Sequence, residues 1–213
     1  MIHLVCLMEQ IETSRLDFLL EYKCDLNMCS SKNESPLHFA CKNEKIKIET
    51  IKYLIENKAE MMNLSFRKNN TPLHHLCSNK NSNYEMIKYL IENKASEWIN
   101  AKNYDNQIPI HNASLNPNIS IQAIKFLVHR KSNLRAKSFK NQIPLFYACM
   151  NEHLSTENLD YLIEKKSNLE SIDNDKNTAL HVICQNKSIS LQSIKLLLEK
   201  NASFLLNSKN KDK

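Results

Sequence analysis

One eight-residue motif, NTPLHHLC at 70–77, recurs along the chain and constrains its fold more than any other feature. Related segments are ESPLHFAC at 34–41, QIPIHNAS at 107–114, QIPLFYAC at 142–149 and NTALHVIC at 177–184. Their landmark residues are separated by 36, 37, 35 and 35 positions, and they are Pro36, Pro72, Pro109, Pro144 and Ala179. Such a period predicts a stack of similar units rather than one globular core.

A second motif stays in step with the first. It reads TIKYLIEN, MIKYLIEN, AIKFLVHR, NLDYLIEK and SIKLLLEK, and its leucines lie 18 residues after the landmark residue of the same copy. RLDFLLEY at 15–22 and MIHLVC at 1–6 extend the series to the N-terminus. We therefore predict a single repeat domain, 1–213, with units at approximately 1–32 (partial), 33–68, 69–105, 106–140, 141–175 and 176–213.

Each unit carries the signals of two short helices. Ser35 or Thr71 is suited to cap the first helix, and the proline that follows has no N–H to leave unpaired. The second helix is expected to begin after a polar cap, and the candidate caps are Asn83, Ser120, Ser155 and Ser190. Because such a hairpin cannot bury its apolar face alone, the fold class is predicted to be an all-α solenoid of stacked helix–turn–helix units with protruding turns.

Asparagine occupies two columns of this chain, which contains no glycine. The first column lies three positions before each proline, where a turn with positive φ is expected, and comprises Asn33, Asn69, Asn106 and Asn141. The second follows the first helix and comprises Asn43, Asn79, Asn116, Asn151 and Asn186. Because asparagine tolerates the left-handed conformation, we expect the second column to end the first helix in that conformation.

These motifs resemble the ankyrin repeat, whose signature is T-P-L-H-x-A on a turn plus two helices. The resemblance covers all six units. It implies structural histidines, whose rings hydrogen-bond near the base of the turn and tie neighbouring repeats together; here they are His38, His74, His111 and His181. It also implies a concave groove that binds partner proteins.

Two departures from the family pattern concern the ends of helices. Lysine stands where the family usually has glycine after the second helix, at Lys58, Lys94, Lys131 and Lys166, so we expect strain or frayed helix ends there. Ile108 and Ile143 replace the hydroxyl that caps the first helix, which typically costs about 1 kcal/mol. The third to fifth turns are therefore expected to be the least stable part.

The opening motif also raises the question of a zinc or nucleophile site, because His74, His75 and Cys77 lie within four residues. The histidine recurs in each similar segment except at Phe146, and the cysteine in each except at Ser114, which favours a structural role; only His75 lies outside the columns. The cysteine column is expected to consist of small buried hydrophobes. A chain without glycine has no Gly-rich phosphate loop. We therefore predict no enzymatic activity, no metal and no cofactor.

Composition restricts the location of the protein and its partners. No apolar run approaches the roughly 20 residues of a membrane span, and the first residues lack the features of a secretory signal. The seven cysteines are expected to be reduced thiols in a soluble intracellular protein, cytoplasmic or nuclear. The net charge of +6 comes mainly from lysine, so nucleic acid is a weak expectation.

The turn tips differ most between units, so they are the expected site of partner recognition. The candidate contact residues are Trp98, Met61, Met62, Phe66, Tyr104, Arg135 and Phe139, with Trp98 the first choice. The predicted function is a protein-binding scaffold or adaptor that forms part of a longer array. The alternatives are Lys-rich electrostatic binding of nucleic acid or acidic lipid, and a substrate-recruiting segment of a larger enzyme.

Overall fold

The computed structural model describes residues 2–8, 13–57, 70–93, 95–153, 155–165 and 167–211. Within these residues the chain forms twelve α-helices, one 3-10 helix and no β-strand. In chain order the helices are α1 (Ile2–Val5), α2 (Thr13–Glu21), α3 (Pro36–Lys42), α4 (Ile48–Glu56), α5 (Pro72–Ser78), α6 (Tyr84–Asn93), the 3-10 helix (Ala95–Trp98), α7 (Pro109–Leu115), α8 (Ile121–His129), α9 (Pro144–Met150), α10 (Thr156–Glu164), α11 (Ala179–Gln185) and α12 (Leu191–Asn207).

The helices form two layers. The first helices of the units pack side by side in the order α3, α5, α7, α9 and α11, and the second helices pack in the order α4, α6, α8, α10 and α12. Helices α1 and α2 extend the two layers by packing against α3 and α4. The landmark leucines of the second motif are fully buried between the layers, at Leu54, Leu90, Leu127, Leu162 and Leu197. The predicted all-α solenoid is confirmed.

Both helices of a unit begin where the sequence predicts. Helices α3, α5, α7 and α9 start at the landmark prolines. The hydroxyls of Ser120, Ser155 and Ser190 accept hydrogen bonds from the backbone N–H three residues further on, at 3.3, 3.4 and 3.2 Å. Asn83 caps α6 in the same way, with its Oδ1 accepting from the N–H of Met86 at 3.0 Å. Each of these bonds pairs an N–H of the first helical turn, which has no carbonyl four residues earlier within the helix.

The turns have the expected positive φ angles. Asn33, Asn106 and Asn141 have φ values of 58°, 60° and 61°, and Lys176 takes the same role in the last unit at 61°. Lys131 has φ 68°, as expected for a residue at the position of a family glycine. Lys23 has φ 55° in the equivalent position of the first unit, four residues after Leu19. Asn69, Lys58, Lys94 and Lys166 lie outside the described residues.

The second asparagine column ends the first helices, but the expected left-handed conformation is wrong. Asn116, for example, is extended, with φ −71° and ψ 119°. Its side-chain amide donates to the carbonyls of Cys77 at 3.0 Å and Asn79 at 2.9 Å, both in the preceding unit. Its Oδ1 accepts from the N–H of Asn118 at 3.0 Å. The extended backbone thus directs the amide towards carbonyls at the C-terminal end of the preceding first helix, which have no partner within that helix.

The same three contacts recur in each of the five units from 33–68 onward and form a continuous asparagine ladder. Asn43 donates to Cys6 and Met8, Asn79 to Cys41 and Asn43, Asn151 to Ser114 and Asn116, and Asn186 to Cys149 and Asn151. All five side chains also accept from the backbone N–H two residues further on. The ladder therefore connects each unit to the next through buried or partly buried hydrogen bonds.

Replacing Asn116 by alanine is expected to lower the free energy of unfolding by about 2–4 kcal/mol, because the buried Cys77 carbonyl and the Asn118 N–H lose their side-chain partners. The Asn79 carbonyl keeps its two hydrogen bonds from Ser82. The loss is measured by urea denaturation followed by circular dichroism. Asn118→Ala is the matched control, since this exposed side chain makes one hydrogen bond, to the Lys80 carbonyl at 3.0 Å. Equal losses in the two variants would contradict a structural role for the ladder.

Candidate functional site

The motif histidines have the geometry of structural ties rather than of a reactive site. Nδ1 of His74 accepts from the N–H of Thr71 at 3.1 Å, which leaves the proton on Nε2. Nε2 then donates to the carbonyl of Gln107 at 3.1 Å, in the next unit. His111 accepts from the N–H of Ile108 at 3.0 Å and donates to the carbonyl of Ala136 at 3.1 Å. His111 thereby pairs one N–H at a helix start that lacks a hydroxyl cap.

His38 and His181 make the hydrogen bond within their own unit, to the N–H at the start of the first helix. Their Nδ1 atoms accept from the N–H of Ser35 at 3.0 Å and of Thr178 at 3.2 Å. Burial lowers the pKa of His38, His74 and His111 to about 4, so these three rings are neutral near pH 7. In His74 and His111 both ring nitrogens are engaged in hydrogen bonds, which suits a structural role.

The cysteine column offers no nucleophile in its buried members. Cys6, Cys41, Cys77 and Cys149 are buried free thiols, and burial raises the pKa of each thiol far above its ordinary value. The thiolate is the reactive form, so these side chains are inert near neutral pH. Cys184 is exposed instead, contrary to the expected buried column, because no further helix covers that face of α11 among the described residues.

His75, the one histidine outside the columns, is buried in the groove between α3 and α5. Its ring lies edge-on to that of His38, with centroids 6.2 Å apart, and its Nε2 is 3.6 Å from Oε1 of Glu34. Burial, His38 and Lys42 together lower the pKa of His75 to about 4, so no ion pair with Glu34 forms near pH 7. Across the described residues, no three His, Cys, Asp or Glu side chains form a group that could hold a metal ion.

Trp98 is not a surface contact, so the first choice among the candidate residues is wrong. Its side chain is 2% exposed and belongs to the hydrophobic core. Leu90 and Pro109 are 19 residues apart, whereas Leu127 and Pro144 are 17 apart, so this unit has two extra residues after its second helix. They are accommodated in the 3-10 helix Ala95–Trp98, which turns the indole inward.

Three other candidates do lie on the surface of the turns. Tyr104 and Phe139 are 61% and 63% exposed, and Arg135 is exposed beside them. The two aromatic residues occupy equivalent positions, five residues before Pro109 and Pro144. The N–H of Phe139 donates to the carbonyl of Asp105 at 2.8 Å, which joins the two turn tips. Met61, Met62 and Phe66 lie outside the described residues.

We define the inner groove as the space between the turns and the first helices. The candidate residues omit the variable position directly after the motif histidine column, which lies on the first helices and comprises Phe39, His75, Asn112, Tyr147 and Val182. This is the variable x of T-P-L-H-x-A, so its variability was the available signal. Val182 lines the cleft at the C-terminal end of this groove. Tyr147 packs edge-on against His111 with centroids 5.1 Å apart, and its hydroxyl accepts from Nε2 of Gln107 at 3.0 Å.

The inner groove widens into a cleft of about 650 Å³ between the turns at 140–142 and 173–177 and the ends of α9 and α11. Met150, Val182 and Gln185 line its helical side, and Lys140, Gln142 and Asp175 are among the residues of its turn side. Asp173 on the same wall is buried, and its carboxylate accepts from Nε2 of Gln142 and from the N–H groups of Asp175 and Asn177. The turn wall of the cleft is therefore fixed by hydrogen bonds.

A family model described as "Ankyrin repeats (3 copies)" matches residues 2–103 and 110–208. The chain belongs to the ankyrin repeat family. The crystal structure of the human ASB11 ankyrin repeat domain is 20% identical in sequence and superposes with a TM-score of 0.76, covering 99% of this chain and 87% of that one. At this identity the likeness concerns the fold. The curated proteins contain no match.

Family membership confirms the resemblance inferred from the motifs and places the chain among folds that generally act as protein-interaction scaffolds. The ankyrin repeats here consist of short first helices, longer second helices and hydrogen-bonded turns. In the part of the chain that the structure describes, no helix is both long and apolar enough to cross a membrane.

Proposed function

We propose that this ankyrin repeat array is a protein-binding scaffold or adaptor that holds partners in its concave inner groove. The observation that carries the proposal is the cleft of about 650 Å³ at the C-terminal end of that groove. Its volume lies within the range of roughly 300–1,000 Å³ that is common for ligand sites. Met150 and Val182 give the helical wall two apolar side chains, and the turn wall carries fixed polar groups, so the cleft suits a peptide segment with both kinds of side chain.

The distribution of charge favours a protein partner over the electrostatic alternative. The cleft combines Lys140 and Lys187 with Glu152 and Asp175, so it lacks the uniform positive charge that a polyanion requires. A substrate-recruiting segment of a larger enzyme would use the same groove, with the chemistry performed elsewhere. In both cases the groove itself binds a protein.

The proposal is tested by affinity capture from cell extract with the full chain. Met150→Arg combined with Gln185→Arg fills the cleft with charge and is expected to reduce recovery of bound proteins at least tenfold, by analogy with hot-spot substitutions worth about 2 kcal/mol or more. Leu191→Arg is the matched control, because Leu191 is exposed on α12 and does not line the cleft.

A salt series separates the alternatives. Proteins held in the cleft should be retained when the salt concentration rises from about 0.15 M to about 0.5 M, whereas a polyanion should be released. Equal recovery with wild type, cleft variant and control would contradict the proposal. Recovery of nucleic acid that is lost at high salt would support the electrostatic alternative instead.

A further inference from the structure

Two neighbouring turn arms, 100–106 and 133–141, present a chemically distinct surface. Along the second arm Leu134, Ala136 and Ser138 are buried while the residues between them are exposed, the alternation of an extended chain. Six of the exposed residues are basic or aromatic, and we call them the basic-aromatic patch: Lys102, Tyr104, Arg135, Lys137, Phe139 and Lys140. The other exposed residues of the two arms are Asn100, Asp105 and Asn133. Lys102 and Lys137 occupy equivalent positions, as do Tyr104 and Phe139.

The backbone beneath the patch is held by hydrogen bonds. The N–H of Asn103 donates to the carbonyl of Gln107 at 2.9 Å, and the N–H of Ser138 to that of Gln142 at 3.0 Å, which closes each tip. At the base, Nδ2 of Asn100 donates to the carbonyl of Lys131 at 3.0 Å and its Oδ1 accepts from the N–H of Asn133 at 2.8 Å. The exposed rings therefore stand on a preorganised frame, which lowers the entropic cost of binding.

The patch carries an excess of positive charge that is not neutralised locally. Among the described residues, no carboxylate lies within ion-pair distance of its four cationic side chains, and Asp105 is the one acidic residue on the two arms. The next arm, 168–177, has a net negative charge, because it contains Glu170, Asp173 and Asp175 but one basic residue, Lys176. The basic surface is thus short and bounded on its C-terminal side.

We propose that the basic-aromatic patch docks a short acidic segment of the partner protein that also carries aromatic or leucine side chains. The inference rests on the proposed protein-binding function and names the chemistry of the segment. Acidic side chains would pair with Lys102 and Lys137, and apolar ones would pack on Tyr104 and Phe139, residues of the type enriched at interface hot spots. Lys140 also lines the cleft, so the patch and the cleft adjoin.

The limits of the patch favour a peptide over a single-stranded nucleic acid. Nucleic acid would also stack on the aromatic rings, but it needs a positive groove that follows the phosphate backbone over several nucleotides. Here the next arm is acidic, and Asp105 lies between the two aromatic positions. A segment of a few acidic residues matches the extent of the charge.

The test is a selection of random twelve-residue peptides displayed on phage against the full chain, followed by affinity measurements on the selected peptides. The expected peptides are enriched in Asp and Glu together with Phe, Trp or Leu. Tyr104→Ala with Phe139→Ala should raise their Kd at least about tenfold, and Lys102→Glu with Lys137→Glu should do the same at low salt. The control combines Tyr22→Ala with Lys80→Glu, at exposed residues outside the patch, and should change the Kd of these peptides less than about twofold.

Four results would overturn the inference. Selected peptides without acidic enrichment would contradict the proposed chemistry of the patch. Peptide affinities that are unchanged by the patch variants but reduced by Met150→Arg would identify the groove, and not the patch, as the binding site. Failure to select any peptide would count against both the patch and the proposed function. Binding of an oligo-thymidine probe that is lost with the aromatic variant and falls steeply with salt would assign the patch to nucleic acid.

Discussion

Replacement of Trp98 by alanine is expected to lower the free energy of unfolding by about 3–5 kcal/mol, the cost of truncating a large buried aromatic side chain. Trp98 is 2% exposed and heads the fully buried side chains by volume. It also ends the 3-10 helix after α6, and its carbonyl accepts from the N–H of Ala101 at 3.0 Å. The cavity would thus open beside the turn that carries Tyr104.

The measurement is urea denaturation followed by circular dichroism. Tyr104→Ala is the matched control, because a ring that is 61% exposed leaves no interior cavity and should cost less than about 0.5 kcal/mol. The chain contains one tryptophan, so the wild-type fluorescence spectrum reports directly on the burial of Trp98. A water-exposed emission spectrum, or a loss no larger than that of the control, would contradict the buried position.

The features that were predictable from the sequence are those governed by local backbone chemistry. Proline at the first helical position set the start of α3 and its counterparts, and the hydroxyl of Ser120 capped α8 as expected. The requirement for positive φ identified Asn106 and Lys131. Each of these inferences needs the residue and its near neighbours in the chain, and the repetition of the motif made the pattern unambiguous.

The features that were not predictable depend on contacts between units. The role of Asn116 requires the carbonyls of the preceding unit, 37 and 39 residues away in sequence, and no local rule places them within reach. The same limit applies to Trp98. A tryptophan in a variable turn is typical of an interface, and the sequence does not show that the two-residue insertion folds inward. Tyr147 was missed because its neighbours His111 and Gln107 belong to another unit.

Lowering the pH is expected to produce the second large effect, a loss of stability between about pH 6.5 and pH 4. Burial lowers the pKa of His38, His74, His75 and His111 to about 4 in the folded chain. In the unfolded chain these rings titrate near their ordinary value of about 6.5, so between the two values the unfolded state binds more protons. Their destabilising effect is absent above about pH 7, grows as the pH falls and is complete below about pH 4.

The size of this effect follows from the difference in pKa. At about pH 5 each ring favours the unfolded state by up to about 2 kcal/mol, so the four together approach the whole stability of an ordinary domain. The groups that face His75 are His38, Glu34 and Lys42. Protonation of His75 would gain an ion pair with Glu34 but add repulsion from Lys42. Protonation of His38 would compete with the hydrogen bond that its Nδ1 accepts from the N–H of Ser35.

His75→Phe isolates one of the four contributions. Nε2 of His75 has no hydrogen-bond partner, and Phe39 shows that the equivalent position of the preceding unit accepts a phenylalanine ring. The variant should therefore gain up to about 2 kcal/mol over wild type at about pH 5, beyond any gain at about pH 7. The measurement is urea denaturation at both pH values, with the exposed His129→Gln as the matched control. If His75→Phe and wild type lose the same free energy between the two pH values, His75 is not one of the groups that drive unfolding in acid.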